Sequence, residues 1–163
     1  MLRRIQQMKS RPRGGTFAIV ASRYNPRYVD AMVSAARREL RRAQVSDIHI
    51  IRVPGAYEIP IAAKRLARAA HSESGPSLSA IICLGVILRG ETVHAAHIGE
   101  VVSRALMEIQ LAHEIPVIHE VLLLENEAQA RVRCLGAKHN RGTEAAQTAL
   151  AMARVMADLN THA

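Results

Sequence analysis

The short run Arg89-Gly90-Glu91-Thr92-Val93-His94 is the part of this chain best equipped for chemistry. The functional reading of His94 is proton transfer, for which an imidazole is the side chain of choice near neutral pH, although a histidine before a helix can equally serve as a cap or a surface group. Glu91 could act as a carboxylate base, but a carboxylate entering a helix is more often a partner for its dipole. Thr92 precedes a helical pattern, where free N–H groups favour an anion. Arg133 and Arg141 flank a turn over residues 136–140 and could supply charge to a phosphate. Tyr24 and Tyr57 stand near other segment ends. There they could stack on a planar ring or pack locally under loops. His94 and His97 have i, i+3 spacing, but a third ligand is not evident and His-Glu-x-x-His is absent, so metal binding is disfavoured. Neither Gly-x-Gly-x-x-Gly nor Gly-x-x-x-x-Gly-Lys occurs, which disfavours dinucleotide and NTP sites of those types.

These residues must be held by regular elements. The run from Leu78 to Leu88 is apolar almost throughout, which suits a strand buried on both faces of a parallel sheet. Thr16 to Ser22 reads as a first strand. Asn25-Pro26 then reads as a helix start, with Asn as N-cap and Pro at the first helical position. Val29, Met32, Val33, Ala36 and Leu40 continue it at helical spacing. Residues 48–53 form a second strand closed by Pro54-Gly55. Residues 58–70 form a second helix, where Pro60 is tolerable only in the first turn. A polar loop over 72–77 leads to the central strand. A helix over 95–114, a strand over 116–124, a short helix over 127–134 and a last helix over 143–159 follow. Strands alternating with helices predict a flavodoxin-like three-layer α/β/α sandwich on a four-stranded parallel sheet. Ligands of such sheets bind beyond the carboxyl ends of the strands, where the residues above gather.

The 163 residues suit a basic tail over 1–15 and one domain over 16–160. Apolar residues make up 49%, which excludes a disordered chain. Phe17, Tyr24, Tyr28 and Tyr57 are the only large aromatics, so the core must be aliphatic. Of the net charge of +8, five charges lie in residues 1–13, which hold no acid. The body lacks the basic face and reading motif of a nucleic-acid binder. Arg37, Arg38, Arg41 and Arg42 fit the wet face and last turn of a helix. Cys83 and Cys134 make no metal or redox spacing, and Cys83 is expected to be a buried thiol. No segment is long enough to span a membrane, and a signal-peptide core is absent, so a cytoplasmic location is expected. The predicted third helix carries Ile98, Val101, Val102, Ala105, Leu106, Ile109 and Leu111, more than one apolar stripe. Subunit contacts would cover the excess, so an oligomer is expected.

Four segments resemble the 6,7-dimethyl-8-ribityllumazine synthase family of riboflavin biosynthesis: Ser22-Arg23-Tyr24-Asn25, residues 53–60 (Val-Pro-Gly-Ala-Tyr-Glu-Ile-Pro), residues 85–94 (Gly-Val-Ile-Leu-Arg-Gly-Glu-Thr-Val-His), and Asn140-Arg141-Gly142-Thr143-Glu144-Ala145-Ala146 with Ala149 to Met152. Their order and spacing hold over roughly residues 16–160, which is more specific than any single motif. The resemblance implies a cofactor-free condensation of 5-amino-6-(D-ribitylamino)uracil with 3,4-dihydroxy-2-butanone 4-phosphate. An imine forms, phosphate leaves, and the ring closes with loss of water.

The same resemblance implies roles for individual residues. His94 would transfer protons, and Tyr24 would stack on the pyrimidine. Ala56, through its backbone, and Glu58 would hold the ribityl chain, with Tyr57 beside them. Val86, Ile87 and Leu88 would line the pyrimidine, while Glu91, Thr92 and above all Arg133 would hold the phosphate. Three places depart from the family pattern. Ala95 and Ala96 replace an aromatic and an acid, and His119-Glu120 replaces Phe-Gly. Arg141 replaces the usual Lys, keeping charge and changing geometry. His119 can still stack on a ring, with less apolar area. Members of the family place active sites between subunits of a pentamer, and some assemble twelve pentamers into a cage, towards which the uninterrupted segment 133–142 leans. Two alternatives share the scaffold: a low-turnover flavin or lumazine binder, and a shell protein.

Overall fold

The computed structural model describes residues 14–72, 75, 77–90, 93–137 and 139–162. The basic tail over 1–13, Glu91 and Thr92 lie outside them. Four strands, β1 (Thr16–Ser22), β2 (Asp47–Val53), β3 (Leu78–Leu88) and β4 (Val117–Leu124), form one sheet in the order β2-β1-β3-β4. Every neighbouring pair is parallel. The two inner strands are the continuously apolar ones, since both of their faces are covered. The outer strands keep polar positions: β2 exposes Asp47 and His49, and β4 exposes His119.

Five helices close the two faces. On one face, α1 (Pro26–Arg42), α4 (Glu127–Cys134) and α5 (Arg141–His162) pack over Phe17, Ile19, Ile82 and Leu84. On the other, α2 (Ile59–Ala70) and α3 (His94–His113) pack over Ala18, Val20, Ile81 and Cys83. The alternation along β1 and β3 sends successive side chains to opposite faces. Each fully buried Leu or Ile there contributes about 1.5–3 kcal/mol of transfer free energy. This is the flavodoxin-like three-layer sandwich expected from the strand and helix order.

Local differences from the expected elements have physical causes. Helix α2 starts one residue later than expected, because residues 56–58 form a separate 3₁₀ turn. Asn25 does not cap α1 with its side chain: its backbone is left-handed, at φ 54°, which turns the amide away from the helix. The amide Nδ2 instead donates to the Val86 carbonyl at 2.7 Å. Asn is among the few side chains that tolerate this backbone region. The N–H groups of Arg23 and Arg89 donate to the carbonyls of Val53 and Leu124, at 2.9 and 2.8 Å, joining neighbouring strand ends.

On α3, Val102, Leu106 and Ile109 are buried, while Val101, Met107 and Leu111 are exposed in the single chain. The first stripe faces the sheet and the second is bare. Cys83 and Cys134 are buried free thiols, and burial pushes the Cys83 thiol far above its ordinary range. Ser22 is fully buried, and its hydroxyl oxygen has no hydrogen-bond partner among the described residues. An unsatisfied buried hydroxyl costs stability. Ser22→Ala therefore leaves the unfolding free energy unchanged or raises it by about 1 kcal/mol, read by urea titration.

Candidate active site

One group of the expected residues sits at the carboxyl ends of β1, β2 and β3. Gly55 closes β2 under the ring of Tyr24: a Cβ there would lie 3.0 Å from that ring. The Gly55 N–H donates to Glu58 Oε2 at 2.8 Å, so Glu58 closes the turn with one oxygen. Its other oxygen has no hydrogen-bond partner among the described residues. Ala56 is buried, which leaves its backbone as the part a ligand can use. Tyr24 is 70% exposed, so its ring lies open to solvent rather than under a loop. Tyr57 is also exposed and lines a groove between α2 and α3 with Lys64, Val101 and Glu108.

Val86 and Ile87 send their side chains into opposite halves of the core. Their main chain and the half-buried Leu88 therefore form the strand end. His94 opens α3 and is exposed just beyond it. Arg89, between strand and helix, forms a 2.8 Å ion pair with Glu125 after β4. Both partners are about half exposed, so this pair contributes under ~1 kcal/mol.

A second group lies along β4, with α4 and α5. His119 is held against α3: its Nε2 is 2.7 Å from Ser103 Oγ, and its Nδ1 accepts from the Val121 N–H at 3.2 Å. Ser103 Oγ already donates to the Gly99 carbonyl, so it accepts from Nε2–H. These bonds suit the neutral ring, and burial pushes the His119 pKa down in the same direction.

Glu120 projects to the other face of β4. There Arg141 Nη1 lies 2.9 Å from Glu144 Oε2 and 3.9 Å from Glu120 Oε1. Arg133, in the last turn of α4, is exposed and makes no ion pair among the described residues. Burial pushes the Glu120 carboxyl up to about 7, with Arg141 opposing, Glu144 adding and Arg133 opposing.

No hydrogen bond or ion pair among the described residues joins the two groups. Tyr24, Ala56, Glu58, Val86, Ile87, Leu88 and His94 belong to the strand-end group, with Tyr57 at its border. His119, Arg133 and Arg141 belong to the other. Among the described residues, no three His, Cys, Asp or Glu side chains converge as a metal site would require. Sequence reasoning gave no role to Glu120, Glu144 or Ser103. The signal for Glu120 was a carboxylate inside an otherwise apolar strand, Val-Ile-His-Glu-Val-Leu-Leu-Leu.

A four-stranded parallel sheet between two helical layers, with polar side chains gathered past its strand ends, defines a flavodoxin-like α/β protein. The family model for 6,7-dimethyl-8-ribityllumazine synthase matches residues 14–157. The chain is 40% identical over 148 residues to the 6,7-dimethyl-8-ribityllumazine synthase of Xanthomonas euvesicatoria pv. vesicatoria (strain 85-10), covering 90% of this chain and 92% of that one. It is 39% identical over 150 residues to the protein of that name from Stenotrophomonas maltophilia (strain R551-3), covering 91% and 93%. The chain belongs to the 6,7-dimethyl-8-ribityllumazine synthase family.

Proposed function

We propose that this chain condenses 5-amino-6-(D-ribitylamino)uracil with 3,4-dihydroxy-2-butanone 4-phosphate to 6,7-dimethyl-8-ribityllumazine, releasing phosphate and water. It is a transferase of riboflavin biosynthesis. The observation that carries this reading is the family match across residues 14–157.

Within the reading, Tyr24 offers an open ring face to the pyrimidine. The strand-end main chain of Val86, Ile87 and Leu88 borders the ring. Ala56 and the second oxygen of Glu58 take the ribityl hydroxyls, with Tyr57 at the margin. Arg133, Arg141, Glu91 and Thr92 receive the phosphate. His94 moves the protons that imine formation, phosphate loss and ring closure require. The attacking amine belongs to the substrate, so no protein lysine need carry the intermediate. The domain over 16–160 carries the whole site, and the reading needs no cofactor.

The separation of the two residue groups supports an active site built between copies of the chain, with His119 and the arginines of one facing the strand ends of the next. The bare stripe of α3 supports the same arrangement. We place the chain in a homopentamer, with the 60-subunit cage as the larger assembly. Sedimentation velocity distinguishes the two. Among the described residues, no helix is long and apolar enough to cross a membrane. The cytoplasmic setting read from the sequence is kept as part of this proposal.

The decisive experiment mixes the purified protein with both substrates and follows lumazine absorbance and released phosphate against the spontaneous reaction. Clear acceleration is expected, and its absence overturns the proposal. His94→Ala should lower kcat about tenfold with KM nearly unchanged. That is below the ~10²–10⁴-fold range of general acid–base catalysis, because the substrate amine is itself a competent nucleophile. Wild-type kcat in this variant would remove His94 from the mechanism.

A further inference from the structure

Glu120 shares Arg141 with Glu144 on one face of β4. Its side chain is 16% exposed, and the Arg141 side chain beside it is 23% exposed. Among the described residues, the charged groups that act on Glu120 are Arg133 from α4, and Arg141 and Glu144 from α5. Cys134, also on α4, has its thiol pushed up to about 11 by burial first and the Glu120 charge second, so it stays neutral near pH 7. His119, the preceding residue, projects to the opposite face of β4, where its nitrogens meet Ser103 Oγ and the Val121 N–H. Across the sheet, the strand partner of Glu120 is the apolar Leu84.

Arg141 therefore sits between two carboxylates, firmly on Glu144 at 2.9 Å and loosely on Glu120 at 3.9 Å. With both acids ionised, the two cations and two anions cancel. With Glu120 protonated, one positive charge is left for a ligand. We infer that Glu120 is a positioning residue of the phosphate site: ionised, it competes with the substrate's phosphate for Arg141, and protonated, it leaves Arg141 to act with Arg133. This rests on the reading above that the two arginines receive the phosphate.

Burial sets the proton equilibrium of Glu120 at about 7, inside the range a cell can reach. Above that pH the carboxylate is charged and anion affinity falls; below it the carboxyl is neutral and affinity rises. Glu120→Gln keeps the shape and the neutral state at every pH.

The test is calorimetric titration of the assembled protein with sulfate, which keeps its two charges from about pH 6 to about pH 8.5. Wild type should lose about threefold to tenfold more affinity over that range than Glu120→Gln, the size expected of one partly screened charge. At the upper pH the variant should bind sulfate more tightly than wild type. Placed on Arg141→Met, Glu120→Gln should no longer change the profile, because the cation through which it acts is gone. Equal pH profiles for wild type and Glu120→Gln overturn the inference. So does an undiminished effect in the Arg141→Met background, or a wild type that binds no sulfate at any pH. Turnover measured on the same samples separates the two readings. No lumazine formation with the expected sulfate profile sinks the synthase reading alone. Turnover with identical sulfate profiles sinks this inference alone.

Discussion

Gly142→Ala should destabilise the fold by at least about 3 kcal/mol, the upper end of what overpacking costs. A Cβ at Gly142 would lie 2.0 Å from the Met32 carbonyl oxygen and 2.6 Å from its carbonyl carbon and Cα. All three are backbone atoms in the middle of α1, so no rotamer change relieves the overlap. The start of α5 would have to lift from α1, opening the packing around Met32, Ala145 and Ala146, all buried. Gly142 also donates its N–H to Asn140 Oδ1 at 2.9 Å, and Asn140 in turn donates to the Cys134 carbonyl. Lifting α5 would therefore disturb the turn beside Arg133 and Arg141 as well. Urea unfolding measures the loss. Gly99→Ala is the control. Its nearest neighbours are side-chain atoms of Leu123 at 3.7 Å, an ordinary contact, and Ala is the better helix former by about 1 kcal/mol. Equal stability of Gly142→Ala and wild type would mean that α1 and α5 do not approach as described.

Arg133→Ala should raise KM for the phosphate-bearing substrate about 10- to 100-fold, with kcat within a few-fold of wild type. A charge-assisted contact to a phosphate is worth about 1.5–3 kcal/mol, and it is made in ground and transition states alike. Arg133 can give nearly all of that to a ligand, because it makes no ion pair among the described residues. Arg141 cannot, since Glu144 at 2.9 Å already draws on its charge. Arg141→Ala should therefore cost less in KM than Arg133→Ala. Steady-state kinetics with each substrate varied in turn reads both effects. The reverse ranking, or a loss confined to kcat, would remove Arg133 as the main countercharge.

Much of the architecture was readable before any coordinates. The bounds of β1, β3 and α4 follow from local pattern, because an apolar run must be buried on both faces and helical spacing must bury one stripe. The strand-end residues were readable too, because chain order in a parallel sheet brings successive carboxyl ends to one edge. Local spacing did not reveal what depends on contacts between distant segments. Asn25 looked like a helix cap, yet its amide bonds to Val86, 61 positions away. Gly142 stood out in sequence only as part of the match over residues 140–146, yet it is the point where α5 meets α1. His119 was readable as a ring that can stack, but not that its nitrogens bond Ser103 on α3 and the Val121 N–H.

Glu120 is the sharpest case. In sequence it is one acid in an apolar strand, and its chemistry depends on Arg141 and Glu144, contributed by the start of α5 more than 20 residues later. Element type and strand-end position are local properties, set by periodicity and chain order, so the residues could announce them. Charge state and available charge depend on burial and on partners brought in from other elements, so they exist only once the layers have packed.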